Sequence, residues 1–293
     1  VQSSALRLIA DRDQEIDLFV PREYWNLIAL LTSSDGTNFK VKLHNLIGVK
    51  DEIELPHEAS ATNIADDIRD SSFSVKLVST KDVPRKPGAP FITSTLQQDA
   101  ARKLNYSTTK TMSVAQSLFE GVDLGGQGRI GLITYMRTDS PQIAKEGVAE
   151  IREYIGDMFG QLYLSKSARN YSSKSKVAQE AHEAIRPTSI KRTPESIKTY
   201  LKPDELRLYR LIWERAVASQ MADSVIDQTT VVVETKGISG SIYEFRSSGS
   251  RLKFAGWRQV YAEIQNDEQE SEKEESNSML PQIAKDQILP LTD

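Results

Sequence analysis

The 293-residue chain has no cysteine and only three histidines, His44, His57 and His182. The missing thiols exclude disulfides and thiolate metal sites, as expected in a reducing compartment. Three widely spaced histidines also argue against a histidine-rich metal centre. No apolar run reaches the roughly 18 residues that a membrane span needs, and charges come too early at the amino terminus for a secretory signal. These absences leave a globular protein with no membrane contact as the expectation.

The net charge is also small, at −4, but the chain contains one cluster of basic residues and one cluster of acidic residues. Residues 166–202 hold nine Lys and Arg against three Glu, or +6, and residues 265–276 hold six acids and one Lys, or −5. The total argues against a uniformly basic nucleic-acid binder, yet it leaves one basic segment that can face phosphates. The acidic run is predicted to be a solvated loop. The chain begins without Met and stops abruptly, so we expect an excised part of a longer protein.

The apolar periodicity predicts a β-rich part, then helices from about residue 94 to 222, then β structure again. Helices are predicted at 3–16, 61–70 (capped by Thr62), 93–104, 110–122, 141–159 and 204–222. Strands are predicted on both sides of an Asp35-Gly36 turn within 23–43, and at 73–81, 229–235, 242–246 and 251–262. Pro-rich residues 81–90 are predicted to be a connector, and Gly-rich residues 121–131 a flexible loop. We infer an α+β, multidomain fold, with a helical domain inserted into a discontinuous β domain.

Residues 129–140, RIGLITYMRTDS, set Tyr135 among an arginine, an aspartate and three hydroxyl groups. A tyrosine after an apolar run is most often a core aromatic. Phosphoryl transfer instead needs a nucleophilic oxygen and a cation at the phosphate, and Arg137 can clamp a phosphate or favour a phenolate. Arg137 can equally pair with Asp139, because residues i and i+2 of a strand share a face. The residues alone leave nucleophile and core tyrosine about even.

A second cluster is QEAHEAIRP, residues 179–187. The spacing predicts His182, Glu183 and Arg186 within one helical turn that Pro187 closes. A lone histidine is more often a surface or core residue. Inside the basic segment, however, His182 can hydrogen-bond or protonate near a phosphate while Arg186 adds a fixed charge. The pattern HExxR lacks the second histidine of a zinc motif.

A third feature is the hydroxyl-rich start of KPGAPFITSTLQQDAARKL, residues 86–104. Its Thr and Ser residues are typical of a helix cap, and a helix amino terminus can also hold a phosphate. Capping alone explains most such stretches.

Taken together, four segments resemble the bacterial type IA DNA topoisomerase family. In chain order they are PGAPFITSTLQQDAARKL, GLITYMRTDS, QEAHEAIRPTS and LYRLIWERAVASQMA. The amino-terminal VQSSALRLIADRDQEI is similar to the end of that family's GRVQS segment. The resemblance runs over nearly the whole chain, and GLITYMRTDS with EAHEAIRP is very specific.

The resemblance implies a mechanism in which Tyr135 attacks a backbone phosphate of single-stranded DNA. A 5′-phosphotyrosine link forms while the other strand passes through the gap, and the full enzyme relaxes negative supercoils. Resealing needs no ATP, because exchanging one phosphodiester for another conserves energy. The implied catalytic residues are Tyr135, Arg137 and His182. The implied DNA-binding residues are Arg7, Thr138, Asp139 and Arg186.

The resemblance also implies the domain plan of a toroidal enzyme. Residues 1–24 would be a remnant of the gate-base domain, 25–93 and 223–293 the β-rich arch domain, and 94–222 the helical domain that carries the tyrosine. The family's Toprim domain, with its acidic Mg²⁺ cluster, and its zinc ribbons do not occur in these residues. We therefore expect Mg²⁺ only in the full enzyme, no metal held by this chain and no relaxation by the chain alone. A monomer in the bacterial cytoplasm, associated with the nucleoid, is implied.

Two rival functions remain open on the residues. One is a single-stranded nucleic-acid binding module, in which Tyr135 stacks on a base and the basic segment follows phosphates. The other is an interaction domain that binds no nucleic acid.

Overall fold

The structure is a computed structural model that describes residues 2–49, 53–172, 183–261 and 280–292. The chain forms two compact units. Unit 1 comprises Val1–Lys81, Gln228–Gly249 and Ser278–Asp293, and unit 2 comprises Asp82–Asp227 and Ser250–Asn277. Helix-rich unit 2 thus interrupts β-rich unit 1 along the chain, which confirms the predicted α+β class. The domain bounds and names implied by the resemblance stay predictions.

The sheet of unit 1 begins with an antiparallel hairpin of one short and one longer strand. The elements that begin in this unit are α1 (Gln2–Asp17), β1 (Ile28–Thr32), β2 (Asn38–Leu46), α2 (Glu58–Ile68) and β3 (Phe73–Arg85). The predicted turn between β1 and β2 is confirmed, since Gly36 has a φ of 83° and the Asp35 carboxylate accepts the Thr37 N–H at 2.9 Å. Gly is favoured there because a side chain disfavours positive φ.

The sheet contains six strands in the order β1-β2-β7-β6-β3-β8. Strands β6 (Ser224–Lys236), β7 (Ile242–Phe254) and β8 (Ile288–Leu289) complete it. Along β2 the side chains alternate between buried Phe39, Val41 and Leu43 and exposed lysines between them. This period of two gives the sheet one apolar face, and α2 adds Ala61 and Ile68 to the same core.

Unit 2 is built around one long buried helix. Its elements are α3 (Thr93–Leu104), α4 (Thr108–Glu120), β4 (Val122–Asp123), β5 (Arg129–Ile130), α5 (Lys145–Phe159), α6 (Pro194–Ile197) and α7 (Pro203–Gln220). Helix α7 starts with Pro203 and has Asp204 and Glu205 in its first turn, where proline and acids stabilise a helix start. Leu208, Ile212 and other apolar residues of α7 are fully buried among α3, α4 and α5.

Several predicted boundaries were wrong. Helix α2 begins at Glu58, so Thr62 lies inside it and does not cap it. Strand β3 does not end at residue 81 but continues through Pro84 to Arg85. Strand β8 pairs only with Phe73 and Ser74, so the later part of β3 lies at an edge of the sheet, where a proline is tolerated. Residues 121–131 include the short β4–β5 hairpin. The predicted strand 251–262 ends at Phe254 and is followed by a 3₁₀ turn, Gly256–Tyr261.

Candidate active site

The segment that carries Tyr135, called the strap below, is extended, and backbone hydrogen bonds fix it on two sides. Leu132 donates its N–H to the Leu118 carbonyl at the end of α4, at 2.8 Å. On the other side, Thr134 donates to the Arg186 carbonyl at 2.9 Å, and Thr188 donates to Leu132 at 3.0 Å. The main chain beside the tyrosine is therefore held between α4 and residues 184–188.

Gly131 lets the strap approach α4 closely. A Cβ at this position would lie 2.6 Å from the Phe119 carbonyl oxygen, a distance that real Cβ atoms essentially never show. Because the obstacle is backbone rather than a flexible side chain, any larger residue must push the strap away from the helix. Glycine at position 131 is thus a requirement of this packing.

Some side chains of the strap are buried in the core and others are exposed at the surface. Leu132, Ile133 and Met136 are buried, whereas the Tyr135 residue is 38% exposed. Its ring meets the Phe119 ring edge-on, with centroids 5.4 Å apart. Such edge-to-face pairs are favourable and fix a ring's orientation. Tyr135 is consequently a surface aromatic on a fixed backbone, not a core tyrosine.

Thr93, the first residue of α3, holds the strap just after Tyr135. Its hydroxyl donates to the Met136 carbonyl at 2.8 Å and accepts the Thr138 N–H at 2.9 Å. Its own N–H donates to the Thr138 carbonyl at 2.9 Å. The predicted capping by this hydroxyl-rich stretch is confirmed at Thr95, whose hydroxyl accepts the N–H of the N-cap residue Ile92 at 3.0 Å, while the Thr93 side chain holds the strap.

Arg137 and Asp139 both point to solvent. Arg137 is exposed, and no hydrogen bond or ion pair joins it to any residue that the structure describes, Asp139 included. Thr138, by contrast, is buried, and its hydroxyl accepts the Ser140 N–H at 3.1 Å. Of the predicted strap residues, Arg137 and Asp139 are accessible to a ligand, while Thr138 shapes the loop.

The predicted helix over QEAHEAIRP is wrong for its described part. Residues 184–187 are extended, with Ile185 bridged to Phe91 and Pro187 bridged to Ile133. The residue before a proline is disfavoured in the α region, which explains the extended backbone at Arg186.

Arg186 is engaged within the protein. Its guanidinium makes two hydrogen bonds to the Glu183 carboxylate, at 2.8 and 3.1 Å, and one to the Pro187 carbonyl at 2.9 Å. Its side chain is 13% exposed and that of Glu183 is 30% exposed. Glu183 also accepts the Ala144 N–H at 3.2 Å, at the start of α5. The pair thus ties residues 183–187 to the α5 end of unit 2.

Two predicted site residues remain, His182 and Arg7. His182 lies outside the described residues, as do the neighbouring basic positions 174 and 176. Arg7 belongs to unit 1, where it lies on α1, is exposed, and pairs with Asp11 at 3.5 Å. The structure therefore places Tyr135, Arg137, Thr138 and Asp139 on one segment, which the Arg186 carbonyl holds through the Thr134 N–H.

A resident metal ion needs a set of ligand side chains that lie close together. No group of three or more His, Cys, Asp or Glu with the placement of a metal site occurs in the ranges that the structure covers. Across the same ranges, no helix is long and apolar enough to cross a membrane.

Sequence reasoning missed the residues that hold the strap, Thr93, Phe119 and Gly131. Their contacts reach residues 12 to 45 positions away in the chain, so no local pattern marks them. The one usable signal was Pro187, since a proline argues against helix at the residue before it.

An exposed tyrosine on a fixed backbone, followed two residues later by an exposed arginine, offers the nucleophilic oxygen and the cation that covalent transfer at a phosphate needs. A family model described as DNA topoisomerase matches residues 1–293, and the chain belongs to that family. Its relatives place it more narrowly, as part of a bacterial type IA topoisomerase.

The chain is 42% identical to DNA topoisomerase 1 of Rickettsia felis over 290 residues, which cover 99% of this chain and 36% of the relative. It is 40% identical to DNA topoisomerase 1 of Xylella fastidiosa strain 9a5c over 295 residues, again 99% of this chain and 36% of the relative. The solved structure of full-length topoisomerase I from Thermotoga maritima matches with a TM-score of 0.74 and 31% identity, over 99% of this chain and 42% of that one. The chain thus spans little more than a third of the length of these curated relatives.

Proposed function

We propose that this chain supplies the strand-cleaving tyrosine of a type IA DNA topoisomerase, and that Tyr135 is the nucleophile. The observation that carries the proposal is the 38% exposure of Tyr135 on a strap whose apolar residues Leu132, Ile133 and Met136 are buried. A nucleophile needs access to its substrate and a fixed approach to the reacting atom. Family membership adds the substrate class, a DNA strand.

In the proposed reaction, the Tyr135 Oη attacks the phosphorus of a backbone phosphodiester of single-stranded DNA. The new bond is Oη–P and the broken bond is P–O3′, so the phosphate stays on the 5′ end of the downstream fragment, now joined to the tyrosine. The tyrosine gives up its proton, and the departing 3′ oxygen leaves as a hydroxyl. Reversal of the same exchange reseals the strand without ATP, because one phosphodiester replaces another.

Arg137 is the proposed cationic partner of that phosphate. It is exposed, lies two residues from Tyr135, and no ion pair in the described ranges occupies it. A guanidinium binds two phosphate oxygens at once, and it stabilises charge that develops during transfer. Asp139, exposed on the same loop, is proposed to contact DNA, and Thr138 to shape that loop.

Arg186 is proposed to act mainly as a brace. Its guanidinium is already bound to Glu183 and to the Pro187 carbonyl, and the backbone at 186 holds Thr134 of the strap. His182 is proposed as a member of the active-site network on the resemblance alone. Arg7 is proposed to contact DNA on the same ground.

The remaining parts of the proposal concern the whole enzyme. Residues 1–24 would belong to the gate base, 25–93 with 223–293 to the arch, and 94–222 to the tyrosine domain. Passage of a strand through the gap would relax negative supercoils, in a cytoplasmic and monomeric enzyme. Because the described residues do not form a metal site, a Toprim segment outside this chain is proposed to supply Mg²⁺.

Covalent trapping tests the proposal. The chain is mixed with a separately expressed Toprim segment, Mg²⁺ and labelled single-stranded DNA, and then denatured. We expect a labelled adduct with the wild-type chain and none with Tyr135→Phe. Tyr154→Phe, a partly buried tyrosine on α5, is the matched control and should still form the adduct. Salt-sensitive binding without any adduct would instead identify a binding module, and an adduct in Tyr135→Phe would refute the assigned nucleophile.

A further inference from the structure

A cleft lies in unit 1, which contains none of the candidate catalytic residues and only Arg7 of the candidate DNA-binding residues. Its volume is about 700 Å³, in the range of sites that hold small organic ligands. It is lined by residues 22–27, by Lys42 and its neighbours on β2, by residues 53–56 and by Arg246 and Ser248 of β7. All of these belong to the same compact unit.

Two aromatic residues are among those that line the cleft. Tyr24 is 75% exposed and Trp25 is 39% exposed. The Trp25 backbone is fixed, because its N–H donates to the Leu55 carbonyl at 2.8 Å, and its indole N–H donates to the Glu23 carboxylate at 2.6 Å. An accessible ring with a fixed position is a stacking platform rather than a core residue.

Two cations lie side by side on neighbouring strands that line the cleft. Lys42 of β2 is the direct register partner of Arg246 of β7. Both lie on the solvent side, since the adjacent residues Leu43 and Phe245 are buried. Like charges directly opposite on neighbouring strands repel each other and destabilise the sheet. A bound anion would relieve that repulsion.

The existing ion pairs do not neutralise these cations fully. Arg246 pairs with Glu244 of its own strand at 2.9 Å, whereas Lys42 has no ion pair to any described residue. Of the acids that line the cleft, Glu54 is paired with Arg22 at 2.6 Å, and Glu23 accepts the Trp25 indole N–H. Lys42 is thus the lining cation that no ion pair to a described residue neutralises, and it lies beside Arg246.

We infer that this cleft is a second binding subsite for an unpaired DNA strand, with a base stacked on Trp25 and Tyr24 and a backbone phosphate held by Lys42 and Arg246. A flat ring and an anion joined by a short linker are what a nucleotide presents, and the space suits one or two of them. The inference rests on DNA as the substrate class of the proposed function, but not on the chemistry of Tyr135.

Binding of labelled oligothymidylate to the whole chain, followed by fluorescence anisotropy, tests the subsite. All variants carry Tyr135→Phe, so that only non-covalent binding is measured. We expect Trp25→Ala to raise the Kd about 5- to 100-fold, as loss of one stacked base does, and Trp25→Phe to restore most of the affinity. Lys42→Gln should lower the slope of log K against log salt by about 0.7, the loss of one phosphate contact on a single strand.

Lys236→Gln is the matched control, because Lys236 is an exposed lysine at the end of β6 and does not line the cleft. It should leave both the Kd and the salt slope unchanged. An abasic strand provides the second control, since it keeps the phosphates and lacks the bases. Its Kd should not respond to Trp25→Ala.

Wild-type affinity in both Trp25→Ala and Lys42→Gln would overturn the inference, even if the Tyr135 adduct forms. Equal losses for the abasic and thymidine strands would also overturn it, since they would show charge without base stacking. If the adduct fails to form while the cleft variants weaken binding as expected, the subsite stands and the proposed catalytic function falls.

Discussion

The bond between the α3 start and the tyrosine strap is the contact with the clearest consequence. In Thr93→Val the hydroxyl is replaced by a methyl group of nearly the same size, so the packing volume is kept. The change removes one donor to the Met136 carbonyl, at 2.8 Å, and one acceptor for the Thr138 N–H, at 2.9 Å. The backbone bond from the Thr93 N–H to Thr138 remains.

The expected cost follows from those two bonds. A typical hydrogen bond contributes about 0.5–1.5 kcal/mol net, and a buried partner left unsatisfied costs about 1–3 kcal/mol. Because Thr138 is 7% exposed, water replaces the lost partner poorly. We expect local destabilisation of about 2 kcal/mol, which corresponds to about a 30-fold increase in the open population of the strap.

Amide hydrogen exchange measures that opening directly. The Thr138 amide should exchange about 30-fold faster in Thr93→Val, while amides in the α7 core keep their wild-type rates. Ser94→Ala removes the neighbouring hydroxyl, which is exposed and forms no hydrogen bond to a described residue, and should leave Thr138 unchanged. A Thr138 rate within a factor of two of wild type in Thr93→Val would refute the role given to this hydroxyl.

Two further predictions concern backbone approach and pH. Gly131→Ala should destabilise unit 2 by about 1–3 kcal/mol in urea unfolding, because the added Cβ would lie 2.6 Å from the Phe119 carbonyl oxygen. The control Gly126→Ala should have little effect, because a Cβ at position 126 meets open space. Equal urea midpoints for the two variants would contradict the close approach at Gly131. Burial, and then the hydrogen bond to Asp204, raise the pKa of Tyr106 to about 12. The unfolded tyrosine ionises near pH 10, so this group's contribution is complete below about pH 10 and is lost as pH rises towards 12. Tyr106→Phe should flatten that alkaline loss of stability, and an unchanged slope would contradict the shift.

The sequence predicted most elements correctly because their signals are local. Helices α3, α4 and α7 show apolar residues at helical spacing, and the hairpin of β1 and β2 has an Asp-Gly turn. Such patterns depend on neighbours within a few residues, which a single sequence displays. The ends of elements were less well predicted, as in β3, where pairing with other strands decides the boundary.

The extended segment 184–187 shows how a local pattern misleads. Glu183 and Arg186 are three residues apart, a helical spacing, and they do form an ion pair. The backbone is nevertheless extended, because Ile185 and Pro187 bridge to Phe91 and Ile133 far away in the chain. Side-chain spacing is compatible with both conformations, so long-range pairing decides between them.

The same reasoning explains why the role of Tyr135 was undecided from local chemistry. The apolar run before it does enter the core, as Leu132 and Ile133 do, but the strap then turns one residue outward. That outward position depends on Thr93, Phe119 and the 184–188 segment, none of which adjoins Tyr135 in the chain. An exposed residue is normally more mobile than a buried one. Here, contacts with residues distant in the chain, on both sides of Tyr135, hold its backbone in place. Access and rigidity at one residue therefore have separate causes, and the attack on a phosphate that we propose for Tyr135 requires both.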